Sequence, residues 1–210
     1  MKITILNDNP KSWILPYINK LKDELNHHDI NIIHNIKNIK NGDIMFILSC
    51  EKIISQKNLE FHKNNIVVHP SKLPYGKGWS PLAWQILEGK NEIPVSLFEA
   101  SKELDAGDIY IMKYINLEGH ELNNEIKHKQ GLITIEMIKE YLINYNKVVG
   151  APQTGKGTFY DRRTRGHSEL DIKKSLEEQF NLLRVVDNER YPAHFYLNNK
   201  KYILKIYKDD

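Results

Sequence analysis

One cysteine, Cys50, is all that the 210 residues contain. That excludes an internal disulfide and a zinc site built from thiolates, and no metal is expected; it also points to a reducing compartment, the cytoplasm. No apolar run approaches the ~20 residues of a bilayer span, so no membrane partner is expected. Asp8, Asn9 and Pro10 break the short apolar stretch at the start, which therefore lacks the core of a signal peptide. The first strand-to-helix turn, Leu6-Asn7-Asp8-Asn9-Pro10, has none of the glycines that let a backbone approach a pyrophosphate. Neither sign of charge dominates: 30 Lys+Arg against 27 Asp+Glu leave +3, too little to argue for a nucleic-acid partner. Arginine is missing from the first 161 residues, and Arg162, Arg163, Arg165, Arg184 and Arg190 all follow.

What is present is the balance of a globular chain, 40% apolar and 27% charged. Residues 2–6 read as a buried strand, and Ile14, Ile18, Leu21 and Leu25 then recur at helical spacing. Strand-like runs follow at 29–34, 44–48, 66–68, 95–98 and 109–115, with a short polar helix around 51–62 and another over 80–88, opened by Ser-Pro and stopped at Gly89. Apolar strands alternating with helices predict an α/β fold with a mostly parallel, Rossmann-like sheet. A long amphipathic helix is expected over 121–146, with Gly131 as its weak point. After residue 150 the composition changes. Glycines and arginines crowd 150–166, which reads as a surface loop or linker, and its Gly155-Lys156-Gly157-Thr158 ends like a phosphate loop but lacks the first glycine and the preceding strand. A helix over 175–187 and a hairpin about Asn198-Asn199 close the chain. Two units are thus expected, 1–150 and a smaller extension, 151–210.

The densest segment runs from Val67 to Pro81, Val-Val-His-Pro-Ser-Lys-Leu-Pro-Tyr-Gly-Lys-Gly-Trp-Ser-Pro. A histidine directly after an apolar parallel strand stands at the carboxyl edge of the sheet, where open α/β folds place their sites. Position alone leaves a strand-capping histidine open. The prolines and glycines that follow fix a non-repetitive backbone that lines something. Asp105, in the Leu-Asp-Ala-Gly-Asp turn of 104–108, is a second candidate, with a plain Asx turn as the alternative.

Taken together, these segments resemble the formyltransferase family that uses 10-formyltetrahydrofolate. That family carries N-x-H-x-S-x-L-P, a glycine-rich turn ending in Pro, a helix closing on Gly, a V-T/S strand and then L-D-x-G. His69, Ser71, Leu73, Pro74, Gly78, Pro81, Gly89, Val95, Ser96, Leu104, Asp105 and Gly107 match in order. The segment 76–89 is similar to the branch that formylates nucleotide-linked amino sugars, as is Phe180-Asn181-Leu182-Leu183-Arg184 followed by Tyr191-Pro192. Val67 departs from the pattern, standing where the family has its asparagine. Asn65 lies on the same strand face but two positions further back.

The resemblance implies an N-formyltransferase with a formyltransferase fold. Its catalytic pair would be His69, taking the proton of the attacking amine, and Asp105, orienting the imidazole. The folate co-substrate would lie near Leu48, Ser49, Cys50 and Lys52 and the loop holding Leu104 and Asp108. Ser71, Lys77, Gly78, Trp79, Arg184 and Tyr191 would meet the acceptor. A compact sugar nucleotide suits a C-terminal piece too short for the barrel that tRNA-formylating relatives append, with the pseudaminic acid intermediate UDP-4-amino-4,6-dideoxy-N-acetyl-β-L-altrosamine the expected acceptor. Methionyl-tRNA, or a binding module that has lost catalysis, are the rival readings. The apolar hairpin side chains Phe195, Leu197, Tyr202, Leu204 and Ile206 predict a homodimer, since two strands cannot bury them alone.

Overall fold

The computed structural model describes residues 1–209. Its centre is a six-stranded sheet in the order β2-β1-β3-β4-β6-β7. The strands are β1 (Lys2–Leu6), β2 (Asp29–Ile33), β3 (Gly42–Ile47), β4 (His62–His69), β6 (Glu92–Glu99) and β7 (Ile109–Asn116), with the two-residue β5 (Lys77–Gly78) standing apart. The first four run parallel to their neighbours, and β6 and β7 are antiparallel additions. Ile44, Phe46, Ile66, Val95 and Leu97 are completely or almost completely buried within the main core, as strands covered on both faces require.

Helices α1 (Leu15–Glu24), α3 (Pro81–Leu87) and α4 (Asn123–Ile143) cover this sheet, while α2 (Gln56–Leu59) is a single turn leading into β4. The N-terminus of α4 is fixed by the Glu125 carboxylate, which accepts the Leu122 N–H at 2.9 Å. Gly131 is no weak point. A Cβ there would sit 2.6 Å from the Tyr17 ring of α1, so the glycine lets the two helices approach.

The expected helix over 175–187 is shorter, α5 spanning Phe180–Val185. Its anticipated first turns are replaced by a turn that the Gln179 amide ties together, donating to the carbonyls of Asp171, Lys174 and Ser175. Leu176, counted toward a helical face, is exposed. Hairpin strands β9 (Ala193–Leu197) and β10 (Lys200–Leu204) turn through Asn198 and Asn199, both at positive φ, as a two-residue hairpin turn demands. The hairpin packs Phe195, Leu204 and Ile206 onto Leu170, Leu183, Val186 and Ala193 of its own chain. Leu197 and Tyr202 of its distal half stay exposed.

The loop 150–166 does more than link. Its β8 (Phe159–Tyr160) pairs in parallel with β5, and this pairing bears directly on the site.

Candidate functional site

Parallel strands deliver their carboxyl ends to one edge, and a cavity of about 420 Å³ opens there against Leu48, His69 and the loop holding Asp105. The loop after β3 is pre-set by its neighbours. The buried Asn7 amide donates to Leu48 O at 2.6 Å, and the Asp8 carboxylate accepts the N–H groups of Glu51 and Lys52. Ile47, Leu48, Ile54, Leu59 and Phe98 give this end of the cavity an apolar wall.

His69 ends β4 with its ring edge-on to Phe98. Its Nε2 lies 2.8 Å from Gly76 O. A carbonyl can only accept, so Nε2 carries the proton and the lone pair is on Nδ1. Among the described residues Nδ1 takes part in no hydrogen bond, and His69 lines the cavity. The Asp105 carboxylate stands 4.0 Å from Nε2 and accepts the Gly78 N–H at 2.9 Å. Asp105 adopts a left-handed backbone at φ 48°. Two positions on, Gly107 allows an approach that any side chain would forbid, since a Cβ would fall 1.9 Å from Glu99 O.

The lining also holds aromatic and cationic side chains, Trp79, Tyr191, Arg162, Arg163, Arg190 and Lys127. Most of these charges are already engaged: Arg162 and Arg190 both reach Glu51 across the mouth, and Lys127 meets Asp187 at 3.2 Å. Arg163 differs. It donates to Val185 O and His167 O, its Nε is buried without a partner, and no carboxylate pairs with it among the described residues. Burial pulls its guanidinium below the usual arginine value.

Of the residues named from sequence, His69, Asp105, Leu48, Ser49, Cys50, Lys52, Leu104, Gly78, Trp79 and Tyr191 line this one cavity. Four do not. Arg184 is buried behind it, 1% exposed, its guanidinium on Glu121, Asn91 and Asn181, so it is no acceptor contact. Ser71 is 1% exposed and lies beneath the site, its carbonyl accepting the Ser96 hydroxyl. The Lys77 ammonium turns over the Phe159 ring, 5.9 Å from its centroid. The Asp108 side chain packs against Gly150, away from the cavity. Cys50 lines the wall, but burial pushes its thiol up to about 12, so it is no nucleophile. Val67 lies with the apolar cluster of Ile47 and Leu59, and Asn65 is spent on Leu59 O at 3.0 Å.

Several contributors escaped the sequence reading. Gly76 supplies a backbone partner to His69, Gly78, expected at the acceptor, supplies one to Asp105, Thr158 bonds the Gly76 backbone, and Gln153 bonds that of Asp105 and Gly107. Nothing local signals them, because each acts on a residue far away in sequence.

The formyl transferase family profile matches residues 10–136. Methionyl-tRNA formyltransferase of Rickettsia massiliae (strain Mtu5) is 30% identical over 178 residues, 84% of this chain and 58% of that protein. The chain spans about half the length of the curated relatives it matches. Among solved structures, methionyl-tRNA formyltransferase from Clostridium thermocellum has a TM-score of 0.85 at 24% identity, over 100% of this chain and 94% of that one. A 4-N formyltransferase from Francisella tularensis has 0.75 at 19% identity, over 100% and 98%. HypX from Aquifex aeolicus in complex with tetrahydrofolic acid has 0.79 at 17% identity, over 98% and 37%. These structures share the fold. With more than half of its length inside the profile, and His69 and Asp105 within that span, the chain belongs to the formyl transferase family.

Proposed function

We propose that the chain transfers the formyl group of 10-formyltetrahydrofolate to the amine of a nucleotide-linked amino sugar. One observation carries the reading: a cavity lined together by His69, with Nε2 held on Gly76 O, by Asp105, by apolar side chains, and by aromatic and cationic ones. The apolar wall fits the flat face of a pterin, whose polar edges would lie toward the loops at 48–52 and 103–108. The amine nitrogen bonds to the formyl carbon, the bond from that carbon to N10 of the carrier breaks, and His69 Nδ1 takes the amine's proton and relays one to N10. Asp105 stabilises the imidazolium through the charge it holds 4.0 Å away. Arg163, which pairs with no carboxylate among the described residues, is suited to a phosphate oxygen, and Trp79 and Tyr191 to the base or sugar face. We take UDP-4-amino-4,6-dideoxy-N-acetyl-β-L-altrosamine or a related UDP- or dTDP-amino sugar as the acceptor, in the cytoplasm. A homodimer would use the exposed distal half of the hairpin.

The test is formylation by the purified chain of a panel of UDP- and dTDP-amino sugars and of methionyl-tRNA, at low and moderate salt. Turnover of an amino sugar with shallow salt dependence is the expected result. Turnover confined to methionyl-tRNA, falling steeply with salt, would replace the acceptor named here. No turnover with any acceptor would leave a binding module.

Val67 shapes the oxyanion strategy. No side-chain amide faces the reacting carbon from that position, which leaves backbone N–H groups, the imidazolium or water. Val67→Asn is expected to raise kcat by less than about tenfold, although a built oxyanion donor is worth ~10² to 10³. The new amide would sit half-buried in the cavity wall beside Ile47 and Leu59, at a cost of up to about 1–3 kcal/mol in stability. Kinetics with the formylated acceptor and a urea melt read both effects, and a larger rise would mark Val67 as a decayed position.

A further inference from the structure

We propose that residues 153–160, beyond the 10–136 of the family match, form a strap that sets the tautomer of His69 and the aim of Asp105, with Gln153 and Thr158 as its positioning residues. The inference rests on His69 and Asp105 being the reacting pair.

The Gly76–Trp79 turn lies between the pair and the 158–160 segment. The unit joining Gly76 to Lys77 presents its C=O to His69 Nε2 at 2.8 Å and its N–H to Thr158 O at 2.9 Å. The next unit presents the Gly78 N–H to Asp105 Oδ2 at 2.9 Å, and the one after it gives the Trp79 N–H to Tyr160 O at 3.1 Å. One edge of this short ribbon therefore holds the pair while the other is held by β8. The Gly76 N–H adds a bond to Thr158 Oγ1 at 2.8 Å. The fit is close, because a Cβ on Gly78, at φ +94°, would fall 2.5 Å from Tyr160 O.

The same segment grips Asp105 from behind. Gln153 Nε2 donates to Asp105 O at 3.0 Å and to Gly107 O at 2.8 Å, tying down the chain from the left-handed residue onward. An αL aspartate is an unfavoured conformer that persists only where its surroundings over-determine it, and these two bonds do that. A linker that merely joined two parts of the chain would have no reason to place a donor on both carbonyls flanking this turn. Held this way, the His69 proton stays on Nε2 and the lone pair on Nδ1.

The experiment compares Gln153→Leu, Thr158→Val and Thr158→Ser with the parent chain by ¹⁵N NMR of the His69 ring and by steady-state kinetics. The parent's neutral imidazole is expected to carry its proton on Nε2. Gln153→Leu should lose on the order of 10²-fold in kcat, the scale of a misplaced catalytic group, with KM for the folate changed less than about threefold. Thr158→Val should populate the Nδ1–H form and lose about tenfold in kcat, while Thr158→Ser, which keeps the acceptor oxygen, should recover both readings. An Nδ1–H tautomer in the parent chain would overturn the proposal. So would Thr158→Ser and Thr158→Val behaving alike, or a Gln153→Leu loss confined to KM. Should Gln153→Leu fail to fold, the Thr158 pair decides. The ring spectrum needs no acceptor, so a wrong choice of acceptor and a wrong reading of the strap give different results.

Discussion

Replacing His69 by alanine or asparagine should lower kcat by about 10²-fold or more while leaving folate affinity close to normal. The expectation follows from where the ring's contacts go. Its protonated nitrogen is anchored to Gly76 O, and its ring stands edge-on to Phe98. Nδ1 takes part in no hydrogen bond among the described residues, and the residue lines the cavity. The apolar shelf of Ile47, Leu48 and Leu59 lies on other elements and keeps its shape when the imidazole is removed. Single-turnover formylation together with equilibrium binding of the folate separates the two effects. A loss confined to binding, or a kcat within a few-fold of the parent, would take His69 out of the proton transfer and leave it as a strand cap.

Where sequence and structure agree, the signal was local. The runs at 2–6 and 44–48 became buried parallel strands because their β-branched and apolar side chains fill both faces of a covered sheet. His69 was singled out because it follows such a run, and Asp105 because it sits in a short Leu-Asp-Ala-Gly turn; the fold places the two 4.0 Å apart. The misreadings share a different cause. Apolar residues at 176, 180 and 183 have helical spacing, but the Ser175 and Gln179 side chains bond the local backbone and hold a compact turn instead. The glycines of 150–166 read as a linker because the partners of that segment, Gly76 and Lys77, are far away in the chain. Arg184 looked like an acceptor contact because arginines gather near it in sequence, and only the folded chain brings Glu121 and Asn91 around it.

That burial sets the second large effect. Arg184→Met should destabilise the chain by about 3–5 kcal/mol, the cost of removing one partner from a buried ion pair. The guanidinium is 1% exposed and the Glu121 side chain 3%. Arg184 donates to Glu121 O at 3.3 Å, to Glu121 Oε2 at 3.4 Å, and to the side-chain oxygens of Asn91 and Asn181 at 2.9 and 3.0 Å. A methionine fills much of the volume but leaves all four acceptors short of a donor. Glu121 itself would still have Lys129 at 2.8 Å. Burial alone would push its carboxyl up; the Lys129 ammonium and the backbone N–H groups of Glu118 and Gly119 outweigh burial and hold it at about 2. Because the folded value lies below the ordinary 4.5, this stabilisation is complete above pH ~4.5 and fades as pH falls through that value toward the folded one. Urea melts at pH 7 and pH 3 should therefore show the parent losing stability on acidification. Glu121→Gln should flatten that limb, and combined with Arg184→Met it should cost less than the sum of the two single changes, since the buried carboxylate that loses the guanidinium is then itself removed. An Arg184→Met variant within about 1 kcal/mol of the parent at pH 7 would mean that the guanidinium is replaceable where it lies, and would reopen the question of why so costly a residue is kept in the core.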